Sequence, residues 1–274
     1  MTTAPKNTTL PRAMRLENAR VLDQKTYPGG QRELVLHEPA ISSAIQPGQF
    51  VHLRVPNLAS SVLRRPFSVF KIDTPRLSIL YECVGVGTRA MTRLRPGETV
   101  SIMGPLGNGF PTESDKAYPV LIAGGYGVAP LHFLASRLDR KGTVFIGGAD
   151  GDRVLCAEDF EHIGWRVIPA TEDGSLGYSG LVTEALEEWL GEYQRSFETL
   201  EFFACGPDGM LRTVSQQAIF LKSKVWVSLD RHMGCGIGAC LACVHKIRDG
   251  KGDIKWKRVC REGPVFEARQ VVWE

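Results

Sequence analysis

Between Arg12 and about Phe110 the chain runs in short stretches of apolar and β-branched residues cut by glycine and proline. Arg32 to His37, Phe50 to Val55, Phe67 to Ile72, Leu77 to Val84 and Thr99 to Met103 carry the enrichment expected of strands. Pro28-Gly29-Gly30, Pro47-Gly48 and Pro96-Gly97 mark turns between them. Short strands at regular spacing, with no long helix, predict an antiparallel β-barrel over residues 12–112.

Around Tyr118 the pattern changes. Pro119-Val-Leu-Ile-Ala123 reads as a buried strand, and Gly124-Gly-Tyr-Gly-Val-Ala-Pro130 leads into an amphipathic helix that ends near Leu138. Thr143 to Gly148 is the next strand. Leu181 to Leu190 is a helix with Leu181, Ala185, Leu186 and Trp189 at helical spacing, stopped by Gly191. Glu201 to Ala204 is a strand, followed by a helix carrying Met210, Val214, Ala218 and Leu221 on one face. Strand and helix in alternation predict a parallel α/β domain over residues 113–224. Residues 225–274 form a small third unit, and residues 1–11 a flexible polar tail without the apolar stretch of a targeting peptide. The predicted fold class is therefore α+β and multidomain.

Composition narrows the function classes. The 274 residues are 43% hydrophobic and 23% charged, ordinary for a globular protein. A net charge of +3, with no basic run, gives no ground for a nucleic-acid partner. No apolar run reaches the length of a membrane span.

The chemistry concentrates in Asp230-Arg-His-Met-Gly-Cys235-Gly-Ile-Gly-Ala-Cys240-Leu-Ala-Cys243 and in Cys260. Four of the seven cysteines make C-x4-C-x2-C, with the fourth after sixteen more residues. This is the plant-type [2Fe–2S] ligand spacing. Three thiolates on one tight loop can wrap a cluster, and Gly234, Gly236 and Gly238 let that loop turn its N–H groups toward anionic sulfur. Structural zinc takes four cysteines too, but favours paired C-x2-C knuckles, and only one pair is present. A redox C-x-x-C would leave Cys235 and Cys260 without a role, and disulfides would suit a secreted chain. Neither His232 nor His245 sits in the Cys-x-His pair of a Rieske centre. Seven cysteines with this signature point to a reducing cytoplasm.

Three further stretches carry candidate chemistry. Arg64-Arg65-Pro66-Phe67-Ser68 lines up a cationic fork, an aromatic ring and a hydroxyl, and alternation sends Arg65 and Phe67 to one face and Ser68 to the other. An edge strand with a solvated arginine is the competing reading. Gly85-Val86-Gly87-Thr88 opens a short helical stretch, Arg89 to Leu94, and offers free N–H groups to a phosphate, or is simply a turn. The Gly124 to Pro130 turn between strand and helix has the architecture of a dinucleotide site. Asp150, just past the next strand, is placed for a ribose hydroxyl and argues for NAD, whereas Arg153 would suit a 2′-phosphate. Cys205, in Cys205-Gly206-Pro207, ends a strand where open α/β sheets bind ligands. A buried inert thiol is the alternative there, as for Cys83 and Cys156.

Taken in order, Arg65-Pro-Phe-Ser68, Gly87-Thr88, Gly104-Pro-Leu-Gly107, Gly124-Gly-x-Gly127-x-x-Pro130 and Cys205-Gly-Pro207 resemble the ferredoxin-reductase-like flavoproteins. The cysteine loop, with Cys260 inside Val-Cys-Arg-Glu-Gly-Pro-Val-Phe266, narrows the resemblance to the electron-transfer subunits of NAD-dependent (type B) dihydroorotate dehydrogenase. It covers Arg12 to Glu274.

The resemblance implies that Arg65, Pro66, Phe67 and Ser68 hold FAD. It also implies that Leu80, Tyr81 and Glu82 line its ribityl and adenylate side, and that Gly87 and Thr88 bind its pyrophosphate. Gly124, Gly125, Gly127 and Gly206 would form the site for NAD as substrate, with Cys205 as the catalytic residue there. Tyr126 stands where an aliphatic residue is often found. Cys235, Cys240, Cys243 and Cys260 would ligate the [2Fe–2S] cluster.

Nothing in the chain offers a base for dihydroorotate, so an FMN-containing catalytic subunit is the implied partner, two of each chain in a heterotetramer. A docking face made by Arg231, His232, Met233, Ile237 and Leu241 would receive it. The same wiring would serve an NAD(P)H:ferredoxin oxidoreductase, a sulfide dehydrogenase or a hydrogenase flavoprotein subunit. A zinc-stabilised interaction module is the reading from another class.

Overall fold

The computed structural model describes residues 14–56, 63–113, 117–193 and 199–273. The expected tail, 1–11, lies outside them. Six strands, β1 (Arg15–Thr26), β2 (Arg32–His37), β3 (Phe50–Arg54), β4 (Arg65–Asp73), β5 (Arg76–Tyr81) and β6 (Thr99–Leu106), close a barrel in the order β1-β2-β5-β4-β3-β6. Every pairing is antiparallel. Two short helices, α1 (Pro39–Ser42) and α2 (Val86–Met91), lie in its connections. Inward residues such as Leu34, Leu36, Val51, Leu53, Val69 and Ile79 fill the interior. The sequence gives little sign of β1, because its strand buries fully only Ala19 and Val21.

The second half is a seven-stranded sheet in the order β10-β9-β8-β7-β11-β12-β15. Its strands are β7 (Tyr118–Gly124), β8 (Thr143–Gly148), β9 (Arg166–Thr171), β10 (Tyr178–Ser179), β11 (Leu200–Cys205), β12 (Lys224–Ser228) and β15 (Val265–Glu267). Helices α3 (Val128–Arg137), α4 (Ala157–His162), α5 (Val182–Glu192) and α6 (Asp208–Phe220) connect it. All pairings are parallel except β12 with β15. A hairpin of β13 (Val244–Arg248) and β14 (Ile254–Arg258), then α7 (Val259–Glu262), completes the chain. The sheet thus runs across residue 224 and takes its last strand from the C-terminal segment.

Packing joins the three parts. Helix α3 lies on β4, and Phe70, Leu80 and Phe110 from the barrel side share a core with Val128, Leu131 and Phe203. Lys71 pairs with Asp159 across the same seam at 2.6 Å. A partly exposed ion pair of this kind is worth about 1 kcal/mol or less, against about 1.5–3 kcal/mol for each large apolar side chain fully buried. The apolar seam therefore decides the domain arrangement. Phe50 and Leu106 of the barrel also share a core with Cys243, Val259, Cys260 and Phe266. Among the described residues no helix is long and apolar enough to cross a membrane.

Candidate functional site

Strand pairing brings the flavin segment and the helix start together. Arg65 opens β4 and lies against Gly87 in α2, where a Cβ would fall 1.9 Å from Arg65 Nε. A side chain at this position would push the Arg65 guanidinium aside. Thr88 Oγ1 accepts from Gly85 N–H at 3.1 Å and donates to the Gly85 carbonyl at 3.2 Å, so its hydroxyl fixes the turn. Arg64 is engaged elsewhere, donating to the Ser101 carbonyl and hydroxyl, each at 2.9 Å.

Alternation holds along β4. Phe67 turns toward the barrel core and meets Tyr81 edge-on at 6.2 Å, whereas Pro66 and Ser68 lie opposite His52 and Phe50. Leu80 and Tyr81 are buried, and Tyr81 donates to Gln24 Oε1 at 2.9 Å. Burial pushes the Tyr81 phenol up to about 12. Glu82 follows at the strand end and lines the cavity described below.

The two glycine turns of the sheet also converge. A Cβ on Gly127 would fall 1.8 Å from the Cys205 carbonyl oxygen, and one on Gly206 would fall 3.0 Å from Gly124 Cα. Gly125 takes φ +54°. Beside them opens a cavity of about 450 Å³ whose lining includes Gln31, Glu82, Tyr126, Arg153, Glu172 and Met210. The Tyr126 hydroxyl donates to Glu82, tying the turn to the barrel.

Asp150 caps the turn after β8, accepting from Arg153 N–H at 3.1 Å and facing Arg153 Nε at 3.5 Å. Arg153 from this turn and Glu172 from just past the end of β9 both line the cavity, so a cation and a carboxylate meet there. Sequence reading passed over Glu172. Burial pushes the Cys205 thiol up to about 12, against the opposing contact with Ser228. Cys205 is therefore a neutral thiol, not a thiolate nucleophile.

The cysteine loop is shaped by backbone. Gly236 and Gly238 take φ +72° and +82°, and Leu241 takes +60°. Ala239 and Cys240 donate their N–H groups to Cys235 Sγ at 3.3 and 3.4 Å. Burial works to raise the Cys235 pKa, but N–H groups of Ile237, Cys240 and Ala239 and the Cys240 thiol outweigh it, and it falls to about 6. The β13–β14 hairpin pairs Val244 with Arg258 and so carries Cys260 back to Cys243. Cys260 N–H donates to Cys243 Sγ at 3.4 Å. Burial, then the neighbouring Cys243, push the Cys260 thiol up to about 12.

Cys235 thus lies beside Cys240 and Cys243 beside Cys260, with Cys235 also near enough to act on Cys260. Among the described residues no three His, Cys, Asp or Glu side chains converge as a single ion requires. The donor set, three thiols on one tight loop and a fourth returned by the hairpin, is that of a plant-type [2Fe–2S] centre.

Arg258, which sequence reading missed, braces the loop. Its Nη1 donates to the Gly238 carbonyl at 3.1 Å, and its guanidinium pairs with Glu262. Ile237 and Leu241 are exposed. Arg231 pairs with Asp208 at 2.9 Å, which ties the loop's entry to α6.

Residues 230–272 match the model of the iron–sulfur cluster binding domain of dihydroorotate dehydrogenase B. The electron transfer subunit of dihydroorotate dehydrogenase B (NAD(+)) from Geobacillus sp. (strain WCH70) is 38% identical over 266 residues, 94% of this chain and 99% of that one. The subunit of the same name from Desulforamulus reducens is 39% identical over 241 residues, 86% of this chain and 90% of that one. The chain belongs to this family. Beyond these electron transfer subunits, the fold matches the structure of an NADH-dependent reduced ferredoxin-NADP oxidoreductase described for flavin-based electron bifurcation. That match has a TM-score of 0.80 and 27% identity, covering 93% of this chain and 90% of that one. A ferredoxin NADP+ reductase from Neisseria gonorrhoeae shares the fold at a TM-score of 0.60 and 18% identity, over 76% of this chain and 92% of that one.

Proposed function

We propose that this chain is the NAD-reducing half of a dihydroorotate dehydrogenase, holding FAD and a [2Fe–2S] cluster and docking an FMN-containing catalytic subunit. The observation that carries this reading is the cysteine loop with Cys260 returned to Cys243 by the β13–β14 hairpin, in a chain of this family. When bound, FAD links the single-electron chemistry of the cluster to the hydride chemistry of a nicotinamide.

The chain's own residues hold and orient. Arg65, braced on Gly87, supplies a guanidinium fork suited to the FAD pyrophosphate. Pro66, Phe67 and Ser68 shape the flavin side of β4, and the strand end Leu80 to Glu82 presents its backbone. Gly124, Gly125, Gly127 and Gly206 keep the NAD site open by lacking Cβ atoms, and Cys205 adds a neutral, polarisable thiol. Asp150 fixes the turn that presents Arg153 to the same cavity. Cys235, Cys240, Cys243 and Cys260 ligate the cluster. In this reading residues 12–112 serve FAD, 113–224 serve NAD and 225–274 serve the cluster.

The lack of a base for dihydroorotate assigns its oxidation to orotate, a step of pyrimidine synthesis, to the partner, with two of each chain in the complex. None of the seven cysteines is in a disulfide, which suits a reducing cytoplasm. The relatives at 38–39% identity favour this partner over a ferredoxin, sulfide or hydrogen system. Coexpression with the catalytic subunit and an assay of dihydroorotate-dependent NAD reduction test the reading. Copurification and turnover support it; a purified complex with flavin and cluster but no turnover overturns it.

A further inference from the structure

His52 lies on β3 between the segments that serve the two redox groups. Across the ladder it faces Pro66 in the flavin segment. On its other side the N–C–N edge of the ring presses on Gly236 in the cysteine loop. A Cβ there would fall 2.7 Å from Cε1 and 2.9 Å from each ring nitrogen. Phe50 packs against the ring at 5.8 Å, and Arg64 donates to the His52 carbonyl at 3.4 Å.

The side chain is 0% exposed, and neither ring nitrogen has a hydrogen-bond partner. Burial, then the charge of Arg64, lower its pKa to about 4, so the ring is neutral at pH 7. A neutral imidazole carries one donor and one acceptor. Folded proteins pair buried polar groups, and a donor in a dry interior binds strongly to whatever acceptor reaches it. The loop that His52 touches is the one that brings anionic sulfur.

We infer that His52 donates its ring N–H to sulfur on the Cys235 side of the bound [2Fe–2S] cluster, and so tunes the cluster while fixing its loop against the flavin strand. This rests on the cluster reading above. Hydrogen bonds to cluster sulfurs help set reduction potential, and donors favour the more negatively charged reduced state. Gly236 is then required twice, for its positive φ and because any side chain would displace the ring.

The test uses the purified complex carrying His52→Leu, His52→Asn or His52→Gln. Iron and sulfide per chain, the paramagnetic resonance spectrum of the reduced cluster and its midpoint potential are measured. His52→Leu should keep about two irons per chain, as one [2Fe–2S] centre requires, with an altered spectrum and a more negative midpoint. Asn places an amide donor near the Nδ1 position and Gln near the Nε2 position. One of the two should restore most of the potential and so identify the donating nitrogen. An unchanged spectrum and potential in His52→Leu would overturn the inference. So would equal loss of iron and thermal stability in all three variants, which would make His52 a packing residue only. A wild-type complex without iron–sulfur absorption defeats the cluster reading itself; a wild-type cluster whose potential ignores all three variants defeats only the role of His52.

Discussion

The guanidinium of Arg65 occupies the space that a side chain on Gly87 would need, 1.9 Å from the position of a Cβ. One residue opens a barrel strand and the other sits in the first turn of a helix, so the cation is aimed by a glycine distant in sequence. Arg65→Ala should weaken FAD binding by roughly ten- to a hundredfold, the loss of a charge-assisted contact of about 1.5–3 kcal/mol. Arg65→Lys should recover only part, since a point charge lacks the fork. Gly87→Ala should mimic the loss with Arg65 intact. Flavin fluorescence titration of the apoprotein measures all three, and full affinity in Gly87→Ala would mean that the contact does not position the cation.

Removing one cluster ligand should separate the two redox functions. Wild-type protein purified without oxygen should contain about two irons and two acid-labile sulfides per chain. Cys240→Ser, the substitution at the exposed thiol, should lose them yet keep FAD and NADH oxidation by an artificial acceptor. Stoichiometric zinc in place of iron would overturn the cluster assignment.

Acid should loosen the cysteine loop through Glu262. Arg258 holds the Glu262 carboxyl below its ordinary 4.5, against the opposing effect of burial. A folded pKa below the unfolded one stabilises the loop above pH 4.5, and that stability is lost as pH falls through the folded value. Cluster bleaching in wild type should therefore steepen below pH 4.5, whereas Glu262→Gln should bleach faster at pH 7 and lose that acid-dependent component. Stopped-flow absorbance after pH jumps distinguishes the two, and identical profiles would remove Glu262 from the account.

Docking should depend on the apolar residues that the loop exposes. Ile237 is 42% exposed and Leu241 59% exposed, beside ligands that must come close to a partner. Ile237→Glu should abolish dihydroorotate-linked NAD reduction in the complex and leave NADH oxidation by artificial acceptors within about twofold, since exposed substitutions seldom disturb folding. Parallel loss of both activities would mean that Ile237 supports the loop rather than the interface.

Elements with a strong period were legible in the sequence. Arg32–His37 and Thr143–Gly148 fall where the pattern puts them, because each buries alternating or continuous apolar residues. Strand β1 escaped detection because its polar residues face outward and its buried ones are few. The cysteine spacing pointed to the segment that matches the iron–sulfur domain, since Cys235, Cys240 and Cys243 are close in sequence. His52 carried no signal: its meaning comes from Gly236, which only the tertiary fold brings to it. Asp150 was readable as a carboxylate after a strand, but its cap to Arg153 depends on a local turn that periodicity does not describe.

Strand β15 has a consequence for how electrons travel. Its register with β12, Ser228 to Val265 through Trp226 to Glu267, builds the segment after Cys260 into the nucleotide sheet. Leu229 N–H adds a bond to the Pro264 carbonyl at 2.9 Å. A carrier module on a free tether is a shuttle, and its pace is set by how fast it can swing through solvent. Here the module is a fixed wire whose spacing is held by main-chain hydrogen bonds. Solvent viscosity can then slow the meeting of subunits, but it has no swinging arm to slow within this one.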